Sequence, residues 1–203
     1  MSETQRWLSN AQMRLALQVF EDLLGHNGQT AVLHLSGLER YIDQLPPGDD
    51  QMAIPRGDMT ALFSGVISMF GDQGARGVFR RWGRAFAVRR IQRHAALRLV
   101  RLGLRLWPAE RRARYSLERL LHHVDMTRQE PHTSIDDDGD YFILKLSDCL
   151  YYPSQNPSQP HNLIVVGLLE GLLHWFTGDD YDVCQDVPEM VVFRVRKHPI
   201  SPR

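Results

Sequence analysis

Apolar residues recur every three to four positions along the first two-thirds of the chain, which is the spacing of helices that bury one face. Ser9 or Asn10 is a suitable cap for the first helix, and Gly25 is a suitable end. Pro46 and Pro47 end the second helix, because proline cannot continue the hydrogen bonds of a helix. These signals predict helices over Asn10–Leu24 and about Thr30–Leu45.

The helical pattern continues up to a proline in the middle of the chain. Asp58 is a suitable cap for the next helix, which ends at Gly71. From Ala75 onward, Gly77, Gly83 and Gly103 weaken the pattern until Pro108 stops it. We therefore predict further helices over Met59–Phe70, Ala75–Trp107 and Ala109–Val124.

The last third of the chain changes to the two-residue period of strands. Asp138-Gly139 suits a tight turn between two strands, and Pro188-Glu189 suits a second one. Between these hairpins an apolar stretch predicts a buried helix. The predicted elements are strands over His132–Asp136 and Tyr141–Leu146, a helix over Asn162–Phe176, and strands over Asp180–Val187 and Met190–Arg196.

Helices followed by two hairpins predict an α+β fold, in which a four-stranded antiparallel sheet has one helix inserted between its hairpins. The helical N-terminal two-thirds is expected to pack on this sheet. The sequence contains no internal repeat and no inter-domain linker. We therefore expect a single domain over residues 1–203, with a mainly helical part over 1–128 and an α+β part over 129–203.

Charge changes this picture. The 203 residues hold 24 Lys+Arg and 24 Asp+Glu, a formal net charge of zero. The segment Arg76–Arg128 nevertheless contains 15 arginines, no lysine and three acidic residues, so it carries +12 against −12 in the remainder. Arginine without lysine favours paired contacts with carboxylates, within the fold or in a second copy, or a solvated face. Contact of this segment with nucleic acid, or with an anionic surface or ligand, is less favoured.

Two cysteines are too few for a disulfide framework, which indicates a reducing, cytoplasmic setting. The N-terminal residues lack the apolar core of a signal peptide, and no apolar run approaches ~18 residues, so we expect no membrane contact. The sequence also lacks a Walker loop, a dinucleotide-binding glycine motif and a nucleophile elbow. Enzymatic activity is therefore left open but disfavoured.

Three residues in the C-terminal half have the chemistry of metal ligands. Cys149, His161 and Cys184 lie near the ends of predicted elements, and thiolate with imidazole suits zinc. No Cys-x-x-Cys pair accompanies them, and a lone buried cysteine is usually a small apolar residue. Zinc stays an alternative, with His161 and Cys184 as its candidate ligands.

A glycine-spaced helix in the C-terminal segment is followed by a strand, a tight turn and a closing strand. The segments are Gly167–Leu173, Trp175, Gly178, Tyr181–Val183 and Val192–Val195. This arrangement resembles the 4-vinyl reductase, or small-hydrocarbon-binding, domain family. The stretches Gly37–Tyr41, Phe70–Gly77 and Phe142–Cys149 also resemble stand-alone bacterial members of that family.

The resemblance implies a sensory or binding domain, often dimeric, with a largely apolar pocket for a small organic molecule. We therefore predict a non-enzymatic binding module that acts as a homodimer, with Tyr141, Cys149 and Trp175 lining the pocket. One alternative is an accessory protein or enzyme of tetrapyrrole vinyl-group metabolism. A nucleic-acid-associated regulator is a further alternative.

A related family, the haem nitric-oxide-binding domains, carries a Tyr-x-Ser-x-Arg motif before a similar helix. Here the matching stretch is Tyr152–Asn156, which lacks the arginine. His123 stands at about the distance of the haem ligand, without the proline expected after it. Haem is therefore disfavoured, and no cofactor is assigned.

Overall fold

The computed structural model of the chain describes residues 7–126, 133–146, 160–187 and 192–200. A short 3-10 turn is formed by Glu39–Tyr41, after the first helix and before the second strand. The elements of the described ranges are β1 (Trp7–Ser9), α1 (Asn10–Leu35), β2 (Met52–Pro55), α2 (Arg56–Gln92), α3 (Ala95–Leu104), α4 (Ala109–Met126), β3 (Thr133–Asp138), β4 (Tyr141–Leu146), α5 (Asn162–Thr177), β5 (Val183–Val187) and β6 (Val192–Arg196). The predicted α+β class is confirmed, with a helix between two antiparallel hairpins.

The chain divides into two compact units, residues 1–82 and 83–203, and the boundary falls inside α2. Each unit has a core of its own. The single domain expected over 1–203 stays a prediction.

Aromatic rings form the centre of the first unit. Trp82 stacks on Phe20 with ring centroids 5.2 Å apart, and Phe63 meets Trp82 edge-on at 5.6 Å. The indole Nε1 of Trp82 donates a hydrogen bond to the carbonyl oxygen of Ala16 at 3.1 Å, so its one polar atom is satisfied in the core. Strands β1 and β2 of the same unit pair antiparallel, a ribbon that the sequence pattern did not predict.

The predicted cap and two predicted helix breaks are confirmed. The Ser9 side chain accepts a hydrogen bond from the backbone N–H of Gln12 at 3.2 Å, as an N-cap should. Gly25 and Gly71 leave the helical conformation with φ of 73° and 66°. At both glycines the chain resumes a helix at once, so α1 and α2 are each longer than the pattern indicated.

The C-terminal end of the helix predicted over about Thr30–Leu45 is wrong, because α1 ends at Leu35. Gly37 adopts φ of 65°, and the backbone N–H of Leu38 donates to the carbonyl of Leu33 at 2.9 Å. This is the glycine-terminated end that closes many helices. The helix therefore ends well before the prolines that the sequence analysis took as its stop.

Asp58 is not the cap that its position predicted, because α2 already begins at Arg56. Its carboxylate instead accepts hydrogen bonds from the Arg40 guanidinium and, at 2.6 Å, from the Tyr41 hydroxyl. Asp58 therefore ties the 3-10 turn to the start of α2.

The continuous helix predicted over Ala75–Trp107 is two helices. Helix α2 ends at Gln92, and α3 begins at Ala95. His94 between them has an extended conformation, with φ of −102° and ψ of 97°, which no helix accommodates. The extended residue therefore interrupts the helix between α2 and α3.

The second unit is built on a four-stranded antiparallel sheet with the order β3-β4-β6-β5. Phe142, Leu144 and Leu146 alternate along β4 as its buried positions, and Leu144 pairs with Phe193 of β6. These side chains form one core with α4 and α5. A second core joins α3 and α5 through Ile91, Leu104, Leu172, Trp175 and Phe176.

Helix α5 lies against the second-unit part of α2 at two glycines. A Cβ atom at Gly171 would lie 2.5 Å from the carbonyl oxygen of Arg84. A Cβ atom at Gly83 would lie 3.0 Å from the backbone nitrogen of Leu168 and would clash with the carbonyl oxygen of Ile164. Side chains do not approach backbone atoms so closely, so only glycine lets the two helices meet in this way.

We expect the variants Gly83→Ala and Gly171→Ala each to lower the free energy of unfolding by about 1–3 kcal/mol, because the added methyl group separates the helices. Urea unfolding measures this change. The matched control is Gly77→Ala in α2, where a Cβ meets no atom within 4 Å. Alanine there should stabilise the helix by up to ~1 kcal/mol. Two crossing variants as stable as the unmodified protein would contradict the close contact.

Candidate functional site

The C-terminal end of α5 is closed by a compact set of hydrogen bonds. Gly178 adopts φ of 84°, and its backbone N–H donates to the carbonyl of His174 at 2.8 Å. The Thr177 hydroxyl donates to the carbonyl of Leu173 at 2.8 Å and accepts from the N–H of Asp179 at 3.1 Å. The predicted end of the helix at Gly178 is therefore confirmed, and the chain turns sharply there.

Arg112 of α4 binds this helix end. Its Nη1 donates to the carbonyl oxygen of Thr177 at 2.7 Å, and its Nη2 lies 3.5 Å from the Asp179 carboxylate. Both side chains are largely buried. The free carbonyl groups at the C-terminus of a helix carry partial negative charge, which favours a nearby cation. Arg112 therefore joins α4 to α5 through charge as well as through hydrogen bonds.

A second arginine meets the residue that follows. Asp180 accepts a hydrogen bond from Arg84 of α2, and its Oδ1 lies 3.1 Å from Nδ1 of His174. Burial acts to raise the pKa of Asp180, but Arg84 and His174 outweigh it, so the pKa lies below its ordinary value. The carboxylate therefore stays ionised, and α2 and α5 are linked at this point as well.

An open cleft of about 450 Å³ lies at this helix end. Its lining residues are Arg101, Arg105, Ala109, Arg112, Phe176, Thr177, Gly178, Asp179 and Pro199. Tyr181, whose hydroxyl donates to the carbonyl of Ala109 at 3.4 Å, belongs to the same region. Burial raises the pKa of Tyr181, so its phenol stays neutral.

An aromatic cluster adjoins the cleft. Trp175 and Phe176 meet edge-on with centroids 4.8 Å apart, and Tyr115 contacts Phe176 in the same way at 6.3 Å. Trp107 meets Tyr115 at 6.0 Å. Edge-to-face contacts of this kind fix ring orientation, so the apolar wall that includes Phe176 is rigid.

The cations of the cleft are not equally available. Arg112 is engaged by Thr177 and Asp179, while the guanidinium of Arg101 lies over the Trp175 ring, 5.1 Å from its centroid. Arg105 is exposed and has no ion pair within the part of the chain that the structure describes. Arg105, with Arg101 beside it, can therefore receive an anionic group at the edge of the apolar wall.

The structure describes two of the three predicted ligand-binding residues and places these two apart. Trp175 lies in the aromatic cluster. Tyr141 starts β4 on the face opposite to Phe142, and Arg194 covers its ring at 5.7 Å. Cys149 lies outside the described residues. Of the two described residues, Trp175 adjoins the cleft and Tyr141 does not line it.

The candidate zinc ligands also differ in their surroundings. His161 precedes α5 and is buried, and burial lowers the pKa of its imidazole. Cys184 is an exposed thiol of β5, opposite Arg194 in the register with β6. Within the described ranges, no group of three or more His, Cys, Asp or Glu is arranged to hold a metal ion.

The sequence analysis missed the ion pairs at the C-terminal end of α5. Arg112 and Arg84 were counted in the arginine-rich segment without partners, although Asp179 and Asp180 follow the predicted helix stop at Gly178. The sequence does contain a signal for these contacts. Two carboxylates follow directly after a helix that ends at glycine, in a chain whose arginine-rich segment holds only three acidic residues of its own.

Solved structures with a similar fold are H-NOX domains, the haem nitric-oxide-binding family named above. A single-substitution variant of Tt H-NOX has a TM-score of 0.54 at 14% identity, over 97% of this chain and 98% of that one. A structure from work on H-NOX activation has 0.55 at 14% identity, over 93% and 96%. A double-substitution variant of Tt H-NOX has 0.57 at 12% identity, over 97% and 98%. No protein-family model and no curated protein matches the chain. This likeness shows the fold.

One similar structure comes from work on heme distortion in the H-NOX family. In this chain His123 lies in the last turn of α4, where the structure describes the backbone alone. The stretch Tyr152–Asn156 lies outside the described residues. Haem binding through these residues therefore stays a sequence-based alternative.

We expect Arg112→Ala to lower the free energy of unfolding by about 2–3 kcal/mol, because the largely buried Asp179 carboxylate and the Thr177 carbonyl lose a charged donor. Arg112→Lys should recover part of this loss, since it keeps the charge but not the planar fork. Arg111→Ala, an exposed neighbour on α4, is the control and should change stability by less than ~0.5 kcal/mol. Equal effects of the Arg111 and Arg112 variants in urea unfolding would show that Arg112 does not hold the helix end.

Stability should fall as the pH drops below about 6.5, where the unfolded imidazole of His161 begins to bind a proton. The folded pKa of His161 is lowered by burial, so the unfolded state binds the proton first. Unfolding free energies at about pH 7.5 and pH 5.5 should therefore differ less in His161→Gln than in the unmodified protein. The exposed His198→Gln is the control. A pH dependence that His161→Gln leaves unchanged would refute this assignment.

Proposed function

We propose that the chain is a non-enzymatic binding or sensory module for a small, largely apolar organic molecule that carries one acidic group. The cleft at the end of α5 is the observation that carries this proposal, because its lining combines the apolar residues Ala109, Phe176 and Pro199 with an arginine, Arg105, that has no ion pair within the described residues. Binding sites for small molecules are concave, mostly apolar and oriented by a few polar groups.

The chemistry of the lining residues selects the ligand class. An apolar body would lie against the wall that includes Phe176, where it removes carbon surface from water. A carboxylate would then reach Arg105 and Arg101, since a guanidinium binds both oxygens of a carboxylate in one plane. Arg112 keeps its bonds to the helix end in this arrangement.

The similar solved structures support a role in binding and response. The H-NOX domains that share this fold are described in terms of activation and of heme. The resemblance of the sequence to the small-hydrocarbon-binding family points to the same class of protein. Both lines favour a domain that holds a small molecule over one that transforms it.

The internal ion pairs of the arginine-rich segment weigh against a nucleic-acid-associated regulator. Arg84 and Arg112 bind Asp180 and Asp179, and Arg114 lies 2.9 Å from Glu118. These arginines stabilise the fold of the second unit and are not all free for phosphate groups. The charge of the segment is therefore in part structural.

Small aromatic and aliphatic carboxylates, such as benzoate and hexanoate, should raise the melting temperature, and the corresponding alcohols should raise it less. Arg105→Gln should weaken carboxylate binding by about tenfold, the loss expected when a charged hydrogen bond is removed. Arg98→Gln is the matched control, because Arg98 is an exposed arginine of the same helical region that does not line the cleft.

Two outcomes would overturn the proposal. Equal shifts with alcohols and carboxylates, or no shift across a broad panel, would show that the cleft does not select an acidic ligand. A Soret band in the freshly purified protein would instead favour haem and the tetrapyrrole alternative.

A further inference from the structure

Helix α3 has two apolar faces. Leu97, Val100 and Leu104 recur at helical spacing and pack in the core that α3 shares with α5. On the opposite side, Leu99, Leu102 and Leu106 are 72%, 57% and 90% exposed. Backbone hydrogen bonds from Arg105 to Trp107 continue the turns beyond the helix end, so Leu106 extends the outer row. A helix that is apolar on both sides normally has both sides covered.

Basic residues border the outer row and no acidic residue interrupts it. Arg98 and Arg105 are exposed, and neither has an ion pair within the described parts of the chain. Between Gln73 and Ala109 the sequence contains ten arginines and no Asp or Glu. The outer face of α3 therefore combines exposed leucines with uncompensated positive charge.

An aromatic residue at the end of this face is held in place. Trp107 is 46% exposed, and its ring meets Tyr115 edge-on at 6.0 Å. One side of the indole is thus anchored in the protein, and the rest faces outward next to Leu106. Tryptophan is enriched where proteins meet the headgroup region of a bilayer.

We propose that α3 and the turn through Trp107 dock on the surface of an anionic lipid membrane. Leucines on one face and arginines beside them match the two layers of such a surface, acyl chains below and anionic headgroups above. A helix of ten residues is about 15 Å long against a hydrocarbon core of about 30 Å, so α3 lies along the surface. This goes beyond the proposed ligand binding and departs from the sequence-based expectation of no membrane contact.

A second copy of the chain fits this face less well. Two copies that met through α3 would bring arginines against arginines, which is unfavourable. Three of the four acidic residues of the β3–β4 hairpin already have cationic partners in the same chain, namely Lys145 for Asp136, Lys197 for Asp137 and Arg194 for Asp138. Nucleic acid would match the arginines but would leave the leucines in water.

The test is co-sedimentation of the full chain with vesicles. Binding should be strong with equal parts of phosphatidylcholine and phosphatidylglycerol, weak with phosphatidylcholine alone, and should fall as salt rises. The double variant L99S/L106S should lower the partition coefficient by about tenfold or more, and Arg98→Gln by about fivefold. Leu35→Ser removes an exposed leucine elsewhere and is the control. Unchanged circular dichroism and melting temperature would show that the variants fold.

Three results would overturn the proposal. The first is the same sedimentation with anionic and neutral vesicles. The second is vesicle binding that the leucine variants leave unchanged. The third is a dimer in size-exclusion chromatography that L99S/L106S dissociates, while neither form binds vesicles. The outer face of α3 would then be the contact between two copies of the chain. The ligand-binding test uses Arg105 and soluble carboxylates, so either proposal can fail without the other.

Discussion

The close contact of α2 and α5 at Gly83 and Gly171 is the constraint on which the second unit depends. It lets the backbone of α5 lie on that of α2, so the other sides of α5 are free to pack on the sheet and on α3. The same contact brings Arg84 level with the end of α5, where it binds Asp180. The cleft exists because α5 ends at a fixed place between α2 and α4.

The arginine-rich segment has two uses in this fold. Arg84, Arg112 and Arg114 bind carboxylates of the same unit, and the planar guanidinium suits these contacts because it donates to two acceptors at once. The arginines beside the outer face of α3 have no such partners among the described residues. The positive charge of the segment is therefore divided between arginines that are neutralised by carboxylates within the fold and arginines that face outward.

Periodicity predicted most of the elements, because burial of one face leaves a direct mark on the order of residues. The Tyr141–Leu146 strand and the helix that ends at Gly178 are examples. The short ribbon of β1 and β2 was missed, since three or four residues carry too little pattern. Trp175 could be singled out from its motif, but the bond from Arg112 to Thr177 joins residues 65 positions apart. No local pattern records a contact at that distance.

The apolar character of α5 has a consequence for synthesis of the chain. Most of its side chains are buried, and its partner Gly83 precedes Ile164 by about 80 residues, a separation that makes folding slow. On the ribosome, α2, α3 and α4 emerge well before α5 and must wait for it with their inner faces open to water. The second unit therefore completes its core only after α5 and the strands that follow it have been synthesised, and until then the apolar faces of the earlier helices are available to chaperones.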